Sequence, residues 1–304
     1  MAKPKNIVAS VRQRLLNQSR ENERPFMELL QYYAMEKFLL RMSRSEYAES
    51  FILKGALLLR VVGMNKVRPT KDIDLLGLTG EDMESLKTVV RNCCTLQIED
   101  DGLVFHAETI QAIEIREDQA YQGVRITFKG NLGNAVIFMQ IDIGFGDVVS
   151  PKPLLVEYPV LLEGESPKLL AYTLESAIAE KYQAMVNLDL ANSRMKDFYD
   201  IGYLSTNYDF TGYKLAEAIE KTFARRKTDL PSEPPTALTD RFYTDPNKVK
   251  QWKAYHKKIE DSNCPENLEE VIKSISMFLW PINKLLIDEL KNKLVWEPKK
   301  GWIA

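Results

Sequence analysis

The sequence predicts an α+β protein. A mixed β-sheet with flanking helices is expected over residues 1–165, and a helical part over residues 166–304. Three observations predict this. Residues 103–149 alternate or run apolar in stretches of strand length, separated by turn residues. Upstream, two shorter apolar runs, "SFILKG" and "DIDLLGL", are each followed by a segment at helical spacing. Beyond Thr173 nearly the whole chain reads at helical spacing, which segregates sheet from helices along the sequence.

Taken in order, residues 7 to 43 read as helical, with Phe26, Leu29, Leu30, Tyr33, Leu39 and Leu40 near helical spacing and strong helix formers between. "SFILKG" reads as a short buried strand that stops at Gly55, and "ALLLRVVG" as a short helix ending at Gly63. "NKVRPT" is a loop, "DIDLLGL" a strand, and "GEDMESLKTVVRNCC" a helix whose first-turn acids favour the helix dipole. "AIEIRE", "GVRITFKG" and "NAVIFMQIDIGFGDVV" follow as strands. Pro151, Pro153, Pro159 and Pro167 mark a long irregular connection. A helix then begins at Thr173, a good N-cap, with Glu175 in its first turn. "SISMFLWPINKLLI" is expected to be a buried helix broken or kinked at Pro281.

Bulk properties narrow the function classes. At 304 residues the chain predicts one large domain or two ordinary ones. The net charge of −2 gives no global pull towards nucleic acid, so any such contact must come from local basic patches. Cys93, Cys94 and Cys264 have no metal-ligand spacing and form no disulfide framework, which fits a reducing cytosol; of the adjacent Cys93 and Cys94, one is expected to be buried on a helix. The polar N-terminal stretch lacks an apolar targeting core, and the expected location is cytoplasmic, with no membrane partner. His106 and His256 are far apart in sequence, which argues against a histidine zinc site or a serine triad.

Chemistry concentrates in "RPTKDIDLLG". On a strand, Asp72 and Asp74 point to the same side, and side-by-side carboxylates repel unless a metal, a basic side chain or open solvent relieves them. A third acid, Asp142, sits in the later strand "MQIDIGF". Upstream, a glycine at a strand-to-helix turn in "LKGA" lets backbone N–H groups approach phosphate. Three carboxylates from two strands suit Mg²⁺, a hard cation that prefers oxygen ligands and keeps phosphate oxygens in its shell. Asp-x-Asp alone arises by chance in many proteins. The joint order of glycine turn, helix, Asp-x-Asp strand and later acid strand is what gives it weight, and it is the layout of the polymerase-β-like nucleotidyltransferase core.

The segments "FILKGALLLRVVGMNKVRPTKDIDLLG", "IDIGFGDVV", "AYTLESAIAEKYQAMVNLDLANSRMKDFYDIGYL" and "RFYTDPNKVKQWKAY" resemble the AbiEii/AbiGii toxin family of nucleotidyltransferases, over roughly residues 25 to 260. These are toxin halves of bacterial toxin–antitoxin and phage-defence systems, and the related MenT group transfers nucleotides to tRNA ends. The resemblance implies Asp72 and Asp74 as metal ligands, Lys181 in "AEK" as a phosphate contact, and Asp197 in "KDFYD" as a further active-site acid. Thr70 matches a hydroxyl residue two positions before the first aspartate. Where the wider superfamily usually has Gly-Gly or Gly-Ser at the turn, this chain has Gly55-Ala56, so Lys54, Thr70 or Lys71 would have to compensate for the missing hydroxyl.

The expectation is therefore a nucleotidyltransferase core followed by a helical part. Asp72, Asp74 and Asp142 would hold Mg²⁺ or Mn²⁺, while Lys54, Gly55, Ala56, Thr70, Lys71 and Lys181 would receive the NTP. The implied acceptor is an RNA 3′ end, with tRNA foremost, and the implied partner is a cognate antitoxin that need not touch the enzyme. Two rivals remain open: the same chemistry on a protein or small-molecule hydroxyl, and a binding protein with a decayed site. Arg194, Asp197 and Asp200 share a helix face, where an ordinary Arg194–Asp197 surface pair is the plainer reading. The basic run Lys248, Lys250, Lys253, Lys257 and Lys258, interleaved with Trp252, Tyr255 and His256, reads first as a solvated face over a buried aromatic stripe and second as an RNA contact.

Overall fold

Pro25 disfavours helix at the residue before it and so splits the long N-terminal helical stretch in two. In the computed structural model, which describes residues 6–64, 69–78, 82–118, 121–259, 261–287 and 293–304, α1 (Ile7–Glu21) ends before it and α2 (Phe26–Ser43) begins after it. The chain continues through β1 (Phe51–Lys54), α3 (Gly55–Val61), β2 (Asp72–Gly77) and α4 (Met83–Thr95). It then forms β3 (Leu103–Asp118), β4 (Tyr121–Leu132), β5 (Ala135–Phe145), β6 (Leu154–Glu157) and β7 (Lys168–Ala171). Residues 65–68 of the expected loop and 80–81 of the expected helix lie outside the described residues.

These strands build one mixed seven-stranded sheet in the order β3-β4-β5-β2-β1-β7-β6. The chain divides into two compact units, and the sheet with α1 to α4 makes up the first, Met1–Gly146 with Leu154–Ala171. Strands β2 and β5 are parallel, as are β1 and β7; the other neighbours are antiparallel. One face of the sheet is covered by α2, almost wholly buried from Leu29 to Met42. There Phe38 meets Phe105 at 5.9 Å and Phe128 at 5.4 Å. The buried Arg41 guanidinium is matched by Asp101 at 2.7 Å, and that carboxylate also accepts the Leu103 N–H at 2.9 Å. A buried charge of this kind is tolerated because its partner is fixed. The proline-rich connection is more regular than expected: it contributes the two short strands β6 and β7 at the sheet's edge.

The second unit, Asp147–Pro153 with Tyr172–Ala304, is mainly helical. Its elements are α5 (Leu174–Leu188), α6 (Met195–Asn207), β8 (Phe210–Thr211), α7 (Gly212–Arg225), α8 (Asp240–Tyr243), α9 (Pro246–His256), α10 (Leu268–Ile287), β9 (Val295–Glu297) and β10 (Gly301–Ile303). Thr173 caps α5 as expected, accepting from the Ser176 N–H at 3.3 Å. Three features differ from the sequence reading. Strands β8, β9 and β10 pair into a small sheet, too short for a period-two pattern to show. Helix α10 runs through Pro281, so of the break or kink expected there the break does not occur. A proline deprives the carbonyl four residues back of its donor; here that is Met277, on an exposed face, and the Trp302 indole donates to the neighbouring Phe278 carbonyl at 2.8 Å. Cys93 and Cys94 are both buried, not one of them, and burial pushes their thiols up to about 11 and about 12. Among the described residues no helix is long and apolar enough to cross a membrane.

Candidate active site

The site begins at a tight turn. Strand β1 hands directly to α3 at Gly55, whose φ of +68° is a left-handed conformation that suits glycine. A Cβ at this position would stand 1.9 Å from Asp74 Oδ2, so the missing side chain makes room for a carboxylate. That carboxylate arrives by register: Lys54 in β1 lies opposite Asp74 in β2, and Asp74 lies beside Asp142 in the parallel β5. Asp72, two residues earlier on the same face, lies beside Gln140.

Ligand oxygens of Asp72, Asp74 and Asp142 all fall within 4.8 Å of one another, a spacing at which one divalent cation can touch all three. Oxygen donors alone, three of them anionic, suit a hard ion such as Mg²⁺ or Mn²⁺. The repulsion between the carboxylates is partly met by Arg125 of β4. Its Nε donates to Asp142 Oδ1 at 2.8 Å and its second nitrogen to Oδ2 at 2.7 Å, a bidentate pair. These hydrogen bonds foremost, with the fields of Asp142, Asp72 and Asp74, raise the guanidinium's pKa against the smaller effect of desolvation. The Gln140 amide reaches the same carboxylate at 3.2 Å. The Thr70 hydroxyl donates to Asp72, while the Thr70 N–H is held by the Tyr32 hydroxyl at 3.0 Å.

Of the other expected nucleotide contacts, Lys54 is buried at the end of β1, Ala56 faces the core, and Lys71 is exposed, its carbonyl accepting from Gln31. The first unit thus brings Lys54, Gly55, Thr70, Asp72, Asp74 and Asp142 into one neighbourhood, and adds Arg125 and Gln140, which the sequence reading missed.

A sequence profile described as the nucleotidyl transferase AbiEii toxin of type IV toxin–antitoxin systems matches residues 37–274, most of the chain. The chain belongs to this family. Membership in AbiEii implies a nucleoside triphosphate substrate and a cognate antitoxin. No curated protein matches the chain. Among solved structures, JHP933 from Helicobacter pylori aligns at 15% identity over 86% of this chain and 94% of its own, with a TM-score of 0.49. A candidate nucleotidyltransferase from H. pylori aligns at 14% identity over 87% and 98%, with a TM-score of 0.48.

In the second unit of this AbiEii chain, Lys181 of α5 and Asp197 of α6, the residues that the family likeness implies for chemistry, are found together. The Lys181 ammonium lies 2.8 Å from Asp197 and 2.8 Å from Asp200, and both carboxylates are fully buried. Arg194 Nε adds a 2.6 Å contact to Asp197. The pair that could have been a surface bridge is therefore half of a four-member cluster built on two buried carboxylates, with Arg194 still partly exposed. Burial alone would push Asp197 up; Lys181 and Arg194 more than offset it and hold the carboxyl well below its usual range. In the basic run along and just after α9, Trp252 is buried, Tyr255 and His256 are half-buried, and Lys250, Lys253, Lys257 and Lys258 are exposed. Lys248, however, is buried and donates to the Asn192 carbonyl at 2.8 Å.

Two expectations follow. Gly55→Ala must force an L residue into a left-handed turn, at about 1–2 kcal/mol, and displace Asp74 as well. Gly202 in α6 has open space around its Cβ position, so Gly202→Ala should instead stabilise by roughly 0.5–1 kcal/mol. Urea midpoints of the two variants should move in opposite directions; a neutral Gly55→Ala would contradict the close approach. Because Asp197 is depressed in the folded state, its contribution is present above its unfolded pKa and is lost as pH falls. Stability should decline below about pH 4. Asp197→Asn should flatten that acid decline, measured as urea midpoints between neutral and acid pH; an unchanged slope would show that the cluster does not carry it.

Proposed function

We propose that the protein transfers a nucleoside monophosphate from an NTP to the 3′-hydroxyl of an RNA, with tRNA the expected acceptor, as the toxin of its toxin–antitoxin pair and in a phage-defence setting in the cytoplasm. The observation that carries this is the convergence of Asp72, Asp74 and Asp142 beside Gly55, in a chain whose family is that of nucleotidyltransferases.

In this reading Asp72 and Asp74 hold Mg²⁺ or Mn²⁺, and Asp142 completes the set or takes the proton of the attacking hydroxyl. A bound ion supplies charge neutralisation for the triphosphate and lowers the pKa of the attacking oxygen. The acceptor oxygen bonds to the α-phosphorus, the bond from that phosphorus to the bridging oxygen of the β-phosphate breaks, and pyrophosphate leaves. Thr70 steadies Asp72, and Arg125 fixes both oxygens of Asp142, so the carboxylates are oriented before substrate arrives. Lys54 and the Gly55–Ala56 backbone offer donors to phosphate, with Lys71 nearby on the exposed loop. The role proposed for Lys181 is phosphate contact, with Asp197 as a further acid that positions it.

Incubation of the full chain with each α-labelled NTP, Mg²⁺ and total cellular RNA tests the proposal. Label should appear in a small RNA band, vanish with EDTA, and fall by orders of magnitude in Asp74→Asn. Label in a protein band instead would move the acceptor to a protein hydroxyl. Absence of any Mg²⁺-dependent NTP binding would leave a non-catalytic binding protein.

A further inference from the structure

The sheet face that carries the three aspartates continues well beyond them. Directly opposed residues on neighbouring strands share a face. From the acids outward, Asp142 stands opposite Arg125 and Arg125 opposite Ile113; further along β5, Phe138 stands opposite Lys129 and Val136 opposite Asn131, which in turn faces Val104. The other face of the same strands, with Ile126, Phe128, Ile137, Met139 and Ile141, is buried core. This face is not covered. Phe138 is 68% exposed, Ile113 57%, Val104 54% and Val136 50%.

Ile113 and Val104 lie on the edge strand β3, and Phe138 and Val136 on the part of β5 that runs beyond its pairing with β2. A face that gathers exposed apolar groups among polar ones is a candidate contact surface. Their arrangement says what kind. They are mixed with polar and cationic groups. Phe138 and Val136 are same-face neighbours on β5, while across the strands each apolar group faces a polar or cationic one, and the Lys129 ammonium sits 5.8 Å from the centre of the Phe138 ring. A flat aromatic surface beside a cation fits a ligand that presents planar rings free to stack and negative charge in alternation. Unstacked nucleotides do so, and sheet faces carrying aromatics bind single strands in this manner. Phe138 lies four residues from Asp142 on one strand, about 13 Å at strand rise, a distance spanned by a few nucleotides.

We propose that this face receives the single-stranded 3′ end of the acceptor RNA, with a base stacked on Phe138, a phosphate near Lys129, and the terminal hydroxyl led to the aspartates. The proposal rests on the reading of those aspartates as the transfer site. Duplex RNA has its bases stacked inside and cannot use Phe138.

The test is fluorescence anisotropy of the full chain with a 5′-labelled single-stranded oligoribonucleotide of mixed sequence, about 12 nucleotides long, a length typical of single-strand sites, with a free 3′-hydroxyl and Mg²⁺ present. Phe138→Ala should weaken binding about 5- to 100-fold. Lys129→Glu should weaken it too and reduce its salt dependence. Both should leave Mg²⁺-dependent binding of NTP unchanged, and the same strand as a duplex should bind more weakly. Phe138 is exposed, so its replacement should leave thermal unfolding unchanged. Equal single-strand affinity for wild type and Phe138→Ala overturns the proposal. So does a Phe138→Ala variant that keeps RNA binding while losing a purified protein partner, which would assign the face to that protein. Failure of the transfer-site reading shows separately, as Mg²⁺-dependent NTP binding that survives Asp74→Asn.

Discussion

The candidate site depends on one close approach. Asp74 occupies the space that any side chain at position 55 would fill, and the left-handed backbone of Gly55 is what leaves that space open. Around this contact the parallel register of β2 and β5 sets Asp74 beside Asp142. The β1 to α3 turn and the acidic strand are thus one feature rather than two, and the register sets the three carboxylates close together on one face.

Crowding of like charge has to be met by something. In this molecule Arg125 meets part of it, holding Asp142 by two short hydrogen bonds from the neighbouring strand. A divalent ion is proposed to meet the rest. A second, separate solution appears in the helical unit, where Lys181 and Arg194 neutralise two fully buried aspartates. Buried charge sets of this kind are costly unless complete, so their presence is weak evidence for stability and better evidence for a fixed geometry.

Much of the fold was legible. The glycine turn, the Asp-x-Asp strand and the Thr173 cap all carry local signatures, and the structure has them where the sequence reads them. Arg125 was missed, although a signal existed. The two-residue turn Gly133–Asn134 pairs Leu132 with Ala135, and counting back along that hairpin puts Arg125 opposite Asp142. What no local pattern could reveal was the parallel pairing of β2 with β5, since it joins strands separated by the whole β3–β4 excursion. The burial of Asp197 and Asp200 was hidden for a related reason: an i, i+3, i+6 charge pattern on a helix looks the same on a solvated face as in a core, until the Lys181 partner on another helix is known. Of the break or kink read at Pro281, the break is absent, and α10 continues to Ile287.

The central claim is that Asp72, Asp74 and Asp142 form a divalent metal site. Electron paramagnetic resonance of Mn²⁺ titrated into the full chain tests it without any need for a known acceptor. The account predicts saturable Mn²⁺ binding, strengthened by NTP, competed by Mg²⁺, and lost in Asp74→Asn while the variant stays folded. Mn²⁺ binding that is equal in wild type and Asp74→Asn would contradict it.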